Sequence, residues 1–214
     1  MPMKVFVIAM DNEAECVISN LEGAQEKILF GRRTVSGRLN GEDALVVVAG
    51  IGKGNAAAAA QMAIQLTGAK EIVNIGVAGG LQPSMKVGDL YEISSAVQYD
   101  FDLAQVNNTP IGTLNERKDP FIPCKSRGLL EPKILGTGDR FNDSLDDAKL
   151  LSDLGAGLRD MEGAAIAHVC EKAGVDFVSF KCVSDLQGHG STPQQYMENL
   201  KKCLAILTDF VKTI

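Results

Sequence analysis

At 214 residues, 45% hydrophobic and 22% charged, the chain is long enough to bury one sizeable core, and a single domain over 1–214 is the expectation. A net charge of −6 with a sequence pI near 5.0 leaves no basic footprint for nucleic acid or an anionic membrane surface. No apolar run approaches the length of a membrane span, and the first one, residues 5–9, has strand length without a charged leader, so an intracellular, cytoplasmic protein is expected.

Residues 3–9 (Met-Lys-Val-Phe-Val-Ile-Ala) form a near-continuous apolar run, the pattern of a strand covered on both faces. It enters Met10-Asp11-Asn12-Glu13-Ala14-Glu15, a helix start with acids in the first turn. Such acids are ordinarily solvated, but one at the carboxyl end of a first strand can face a ligand crevice. Residues 27–39 and 43–49 read as two strands joined by an Asn40-Gly41 hairpin turn.

Gly50-Ile51-Gly52-Lys53-Gly54-Asn55 then opens an alanine-rich helix over 55–66. It is not a Walker loop, lacking that spacing and the Ser/Thr after Lys53. Nor is it a dinucleotide fingerprint, because the next strand, 71–75, ends in Gly76 where a ribose-binding acid would stand. Gly76-Val77-Ala78-Gly79-Gly80 reads as a small-residue loop, either a tight turn or a place where backbone approaches a ligand. A further strand spans 87–97. The irregular tract to about residue 130, with Pro110, Pro120 and Pro123, is long enough to point to function or an interface. Leu135-Gly-Thr-Gly-Asp-Arg-Phe-Asn142 precedes a short helix over 146–154, and Phe141 taken alone is a core aromatic.

Gly157-Leu-Arg-Asp-Met-Glu-Gly-Ala-Ala-Ile-Ala-His-Val-Cys170 is a short strand running into a helix, with Asp160, Met161 and Glu162 at the junction. Ala164, Ala165 and Ala167 allow close approach to a sheet, which puts Glu162 at the inner mouth of that interface, where a charge needs a partner or a task. The competing explanation is a solvated acid favoured by the helix dipole. Residues 175–185 are an apolar, β-rich run ending in Ser184-Asp185, an acid at a buried strand's carboxyl end, where open α/β sheets hold ligands. Thr192-Pro193 opens a last helix over 194–212, whose apolar stripe, Tyr196 included, marks it for packing.

The five cysteines, Cys16, Cys124, Cys170, Cys182 and Cys203, are dispersed without a Cys-x-x-Cys pair and read as reduced thiols. The two histidines, His168 and His189, stand in no ligand-spaced cluster, so no metal site is expected.

The run Asp160-Met-Glu-Gly-Ala-Ala-Ile-Ala167 with the later Val183-Ser-Asp185, joined by Gly50-Ile-Gly-Lys53 before an alanine-rich helix, resembles the nucleoside phosphorylase and nucleosidase superfamily. Within it the motifs look most like the 5′-methylthioadenosine/S-adenosylhomocysteine nucleosidases, over nearly the whole chain and least between 99 and 133. The resemblance implies an α/β, three-layer αβα domain around a mixed twisted sheet, hydrolysis of a purine nucleoside and no cofactor. It also implies a homodimer, in which a neighbouring chain closes the 5′ end of the pocket.

Breaking an N-glycosidic bond calls for a proton on the departing purine and stabilisation of an oxocarbenium-like sugar while water attacks. By resemblance, Asp185 is the proton donor, with Ser184 beside it in the substrate site. Glu13 activates water, although Asp11 and Asn12 loosen the acidic triplet that precedes it in the family. Glu162 binds the ribose hydroxyls and Met161 packs on the sugar. Val77 and Gly79 lie beneath the ribose, where relatives often carry Ser or Thr at the Val77 position. Ile51 lies against the 5′ substituent, Phe141 stacks on the purine, and Asn142 meets the purine edge through its backbone. Lys181, at a position where bacterial nucleosidases commonly have Arg, and Thr192-Pro193 look more like the plant enzymes. Pro193 stands in a region where broad-specificity relatives place an aromatic, which implies a preference for methylthioadenosine over the bulkier S-adenosylhomocysteine.

Phosphorolysis on the same fold is the main alternative. It needs cations and hydroxyls for a dianion, whereas the strand before Gly76 has no arginine, Val77 has no hydroxyl and Glu13 repels phosphate. A futalosine-type hydrolase and a non-catalytic nucleoside-binding or storage protein are the others. The joint presence of Glu13, Glu162 and Asp185 argues against the last.

Overall fold

The computed structural model describes residues 3–214. The first apolar run is β1 (Lys4–Ile8), followed by α1 (Asp11–Ile18), β2 (Glu22–Leu29), β3 (Arg32–Leu39), β4 (Glu42–Val48) and α2 (Lys53–Thr67). The middle of the chain holds β5 (Glu71–Gly80), β6 (Leu90–Gln98), the one-turn α3 (Ala104–Asn107), β7 (Ile122–Pro123) and β8 (Pro132–Thr137). The last part contributes α4 (Leu145–Asp153), β9 (Leu158–Asp160), α5 (Gly163–Ala173), β10 (Asp176–Leu186) and α6 (Thr192–Val211).

Strand β1 lies parallel between β4 and β5 at the centre of a mixed sheet. Its side chains alternate between two cores, as strand geometry requires. Val5 and Val7 face Ala56, Ala59, Ala60 and Ala63 of α2. Phe6 and Ile8 face Ala14 and Val17 of α1 and Cys203, Leu207 and Val211 of α6. Helices on both faces make the expected αβα layering. Each fully buried β1 side chain contributes about 1.5–3 kcal/mol of apolar burial. The alanine stripe of α2 at i, i+3, i+4 and i+7 lets α2 lie close to α5, whose own Ala164 and Ala167 are buried in the same core.

The sheet order runs β10-β6-β8-β9-β5-β1-β4-β3-β2. Because β10 also pairs with β5 and β9 pairs with β5, the strands β5, β10, β6, β8 and β9 close into a ring. This closure brings the carboxyl ends of β5 and β10 together with the short β9.

Two expectations are corrected. Residues 27–39 are not one strand: they form the hairpin β2–β3, turned at Phe30-Gly31 with φ of 49° and 75°. The same left-handed pair occurs at Asn40-Gly41, φ 53° and 80°, where the sequence signal was plain. A phenylalanine in left-handed backbone is uncommon, so Phe30 carried no turn signal. Residues 76–80 are not a loop either. They extend β5, paired with Lys181 to Leu186 of β10 and with β9, and their glycines serve to make room beside the strand.

Candidate active site

Glu13 sits in the first turn of α1 and is 4% exposed. Its neighbours Asp11 and Glu15 turn outward to Arg33, at 3.1 and 2.9 Å, so only the middle acid of the cluster enters the protein. The Val77 amide donates to Glu13 Oε1 at 2.8 Å. A Cβ on Gly76 would stand 2.6 Å from that same oxygen, so the carboxylate occupies the space that glycine leaves. Burial pushes the Glu13 carboxyl up, against the pull of Lys181 and of the amide.

Glu162 stands at the helix-capping position of α5, buried, and accepts a hydrogen bond from the Gly52 amide at 2.8 Å. Gly52 has φ 97°, open to glycine and strained for other residues. Burial and the nearby Asp160 raise the Glu162 carboxyl to about 7. Asp160 is the structural acid of the junction: it accepts from Thr137 Oγ1 at 2.6 Å and from the Gly163 amide at 2.9 Å. It also pairs with Lys181 at 2.9 Å, both side chains almost wholly buried. Burial pulls the Lys181 ammonium down, but Asp160, Glu13 and Glu162 outweigh it and push it up, so it stays charged. One ammonium among three carboxyls leaves negative charge in excess, the condition under which one acid holds a proton near neutrality.

Asp185 follows an irregularity in β10 between Val183 and Asp185 and is 2% exposed. Ser184 Oγ donates to its Oδ1 at 2.7 Å, while Oδ2 is buried without a hydrogen-bond partner among the described residues. Burial pushes this carboxyl up, with Ser184 and Arg159 acting against it.

These side chains open on one cavity of about 350 Å³. Of the residues expected at the site, Glu13, Ile51, Val77, Gly79, Phe141, Met161, Glu162, Ser184 and Asp185 all line it. Asn142 does not: its amide donates to Asp147 and its oxygen caps Ser144, which ties it to the start of α4. Ile51 and Phe141 are 52% and 49% exposed, as rim residues are. Their loops are tied together by Lys53, whose ammonium pairs with Asp100 at 2.5 Å and whose amide donates to Asp139.

Arg140, Arg159, Met10 and Tyr196 also line the cavity and were not foreseen. Tyr196 was counted in the packing stripe of the last helix, yet its ring meets Phe141 edge to face at 5.6 Å and its hydroxyl reaches Met10 Sδ at 3.5 Å. Arg159 directly precedes the Asp160-Met161-Glu162 junction, all of which lines the cavity. Pro193 is exposed and is not among the residues that line this cavity, where the aromatic of α6 is Tyr196. Among the described residues no group of His, Cys, Asp and Glu has the arrangement of a metal site, and no helix is long and apolar enough to cross a membrane.

A cavity lined by three buried carboxyls whose proton affinity is raised is equipped for acid–base chemistry on a small polar molecule. The model of the phosphorylase superfamily matches residues 4–214. The chain is 30% identical to a 5′-methylthioadenosine/S-adenosylhomocysteine nucleosidase of Marinomonas sp. (strain MWYL1), covering 90% of this chain and 89% of the relative. It is 33% identical to the nucleosidase of that name from Halalkalibacterium halodurans, covering 84% of each. A crystal structure of the Helicobacter pylori 5′-methylthioadenosine/S-adenosylhomocysteine nucleosidase with butyl-thio-DADMe-Immucillin-A superimposes with a TM-score of 0.90 at 25% identity, over 100% of this chain and 97% of that one. The chain belongs to the phosphorylase superfamily and, within it, to the family of the 5′-methylthioadenosine/S-adenosylhomocysteine nucleosidases.

Proposed function

We propose that this protein hydrolyses the N-glycosidic bond of 5′-methylthioadenosine, and of S-adenosylhomocysteine, releasing adenine and the thioribose. The observation that carries the reading is the convergence of Glu13, Glu162 and Asp185, three buried acids from three separate segments, on one cavity. Asp185, whose proton affinity burial raises and which has an oxygen without a hydrogen-bond partner, gives a proton to the departing purine. Glu13 takes one from the attacking water, a task suited to a carboxylate whose basicity burial has raised. Glu162 holds the ribose hydroxyls with Met161 and Val77 against the sugar, Ile51 borders the 5′ substituent, and Phe141 covers the base with Tyr196 behind it.

Hydrolysis is favoured over phosphorolysis by one contact. The Val77 amide, a backbone donor suited to an anion, is given to Glu13, which both occupies the donor and repels a dianion. The deciding assay is adenine release from 5′-methylthioadenosine in phosphate-free buffer and again with phosphate. Release without phosphate is expected; release only with phosphate overturns hydrolysis, and no release in either overturns the substrate assignment. Futalosine, tested in parallel, covers the remaining substrate alternative.

A homodimer and a reducing, cytoplasmic setting belong to the same proposal. The tract between β6 and β8 exposes Val106 and Leu129 at 81% and 49%, apolar surface that a second copy would cover. All five cysteines are free thiols, which suits a reducing compartment. Sedimentation equilibrium with and without Val106→Glu tests the dimer.

A further inference from the structure

Arg159 belongs to β9, a strand of three residues, and points back toward β5 and β10 rather than outward. It is 8% exposed and lines the cavity. Its guanidinium donates to Thr192 Oγ1 at 3.1 Å, and Thr192 in turn hydrogen-bonds Asp143 through both its hydroxyl and its amide. On the other side Arg159 Nη2 stands 3.9 Å from Asp185 Oδ2, the oxygen with no hydrogen-bond partner. A Cβ on Gly79 would lie 2.8 Å from that oxygen and 3.0 Å from Arg159 Nε, so one glycine makes room for both groups. The groups facing Asp185 are the Ser184 hydroxyl, the Arg159 guanidinium, the Asp143 carboxylate, and the Tyr196 hydroxyl and Cys203 thiol of α6. Arg159 alone among them is a cation.

We propose that Arg159 is a positioning residue for Asp185: it keeps the free carboxyl oxygen turned into the cavity and tethers it through Thr192 to Asp143 at the rim. At 3.9 Å the contact is beyond hydrogen-bond distance, yet close enough for the charge to strengthen Asp185 as an acid. Burial alone would leave Asp185 a reluctant donor. The guanidinium lowers the cost of the carboxylate left behind when the proton moves to the leaving group, while the Thr192 contact keeps the arginine from closing onto Asp185. The inference rests on Asp185 being the proton donor.

The test is the pH profile of kcat/KM for adenine release from 5′-methylthioadenosine, which reports groups of the free enzyme. Activity that needs a protonated Asp185 declines along the alkaline limb. Arg159→Met is expected to move that limb upward by about one pH unit, the effect of removing an opposite charge within 4–6 Å, and to lower kcat more than it changes KM. Arg159→Gln carries the same test if the methionine variant folds poorly, and Arg159→Lys, which keeps the charge, is expected to leave the limb in place. A limb unmoved in both neutral variants overturns the inference, as does a lysine variant displaced as far as the neutral ones. Asp185→Asn assayed alongside separates the two readings. Full activity there sinks the role of Asp185 itself, whereas an inactive Asp185→Asn with an unmoved Arg159→Met limb sinks only the role of Arg159.

Discussion

Glu13 and Gly76 share one space: the Glu13 carboxylate lies where a side chain on Gly76 would have to be, its Oε1 2.6 Å from the position of a Cβ there. The glycine-rich end of β5 thus sets the place of the Glu13 carboxylate. Gly76→Ala is expected to displace Glu13 without unfolding the protein and to lower kcat by about 10²–10⁴, the range of a lost general base. Activity within a few-fold of the parent, by adenine release, would show that Glu13 is not held there for catalysis.

Asp185→Asn keeps the shape of the side chain and removes the proton that the proposed mechanism transfers. A fall in kcat of about 10²–10⁴ with KM held within a few-fold is expected. Equilibrium binding of a non-hydrolysable adenosine thioether analogue, measured by calorimetry, should survive the change.

Lys181 is the cation between Asp160, Glu13 and Glu162. Lys181→Met leaves their charge uncompensated in the interior and is expected to cost about 3–5 kcal/mol of stability at neutral pH. The loss should shrink at pH 5, where the Glu162 carboxyl, raised to about 7, is neutral. Urea unfolding at the two pH values measures both numbers.

The Glu162 carboxyl is raised from its ordinary 4.5 to about 7 by burial, then by Asp160. The folded protein therefore binds this proton more tightly than the unfolded chain. The stability it contributes is fully present below pH 4.5 and is lost as pH rises through about 7. Glu162→Gln, neutral throughout, should gain melting temperature relative to the parent at pH 8 compared with pH 5, while losing activity. A melting difference that is the same at both pH values would contradict the shift.

Tyr196 braces Phe141 edge to face at the cavity rim. Tyr196→Ala removes an aromatic contact worth about 0.5–1.5 kcal/mol beyond burial. KM for 5′-methylthioadenosine is expected to rise by up to roughly ten-fold, with kcat changed less. An unchanged KM would place Phe141 outside the substrate's reach.

Much of this protein was legible locally. The both-faces-buried run of β1, the alanine stripe of α2, the Asn40-Gly41 hairpin and the acids at strand ends follow from periodicity and turn chemistry, which depend on neighbours in the chain. Periodicity and turn chemistry therefore determined the alternation of strands and helices, and the resemblance of the motifs to the nucleosidases singled out Glu13, Glu162 and Asp185. Only the tertiary structure shows why Glu13 is the acid of the Asp11-Glu13-Glu15 cluster that goes inside: Arg33 draws the other two outward. It also decided that residues 76–80 are strand, since their partners lie about a hundred residues away in β10. Arg159, Tyr196 and Lys181 acquire their settings the same way. Each meets carboxylates or aromatics from distant segments that converge when β5, β10, β6, β8 and β9 close into a ring, and no local pattern in the chain records that closure.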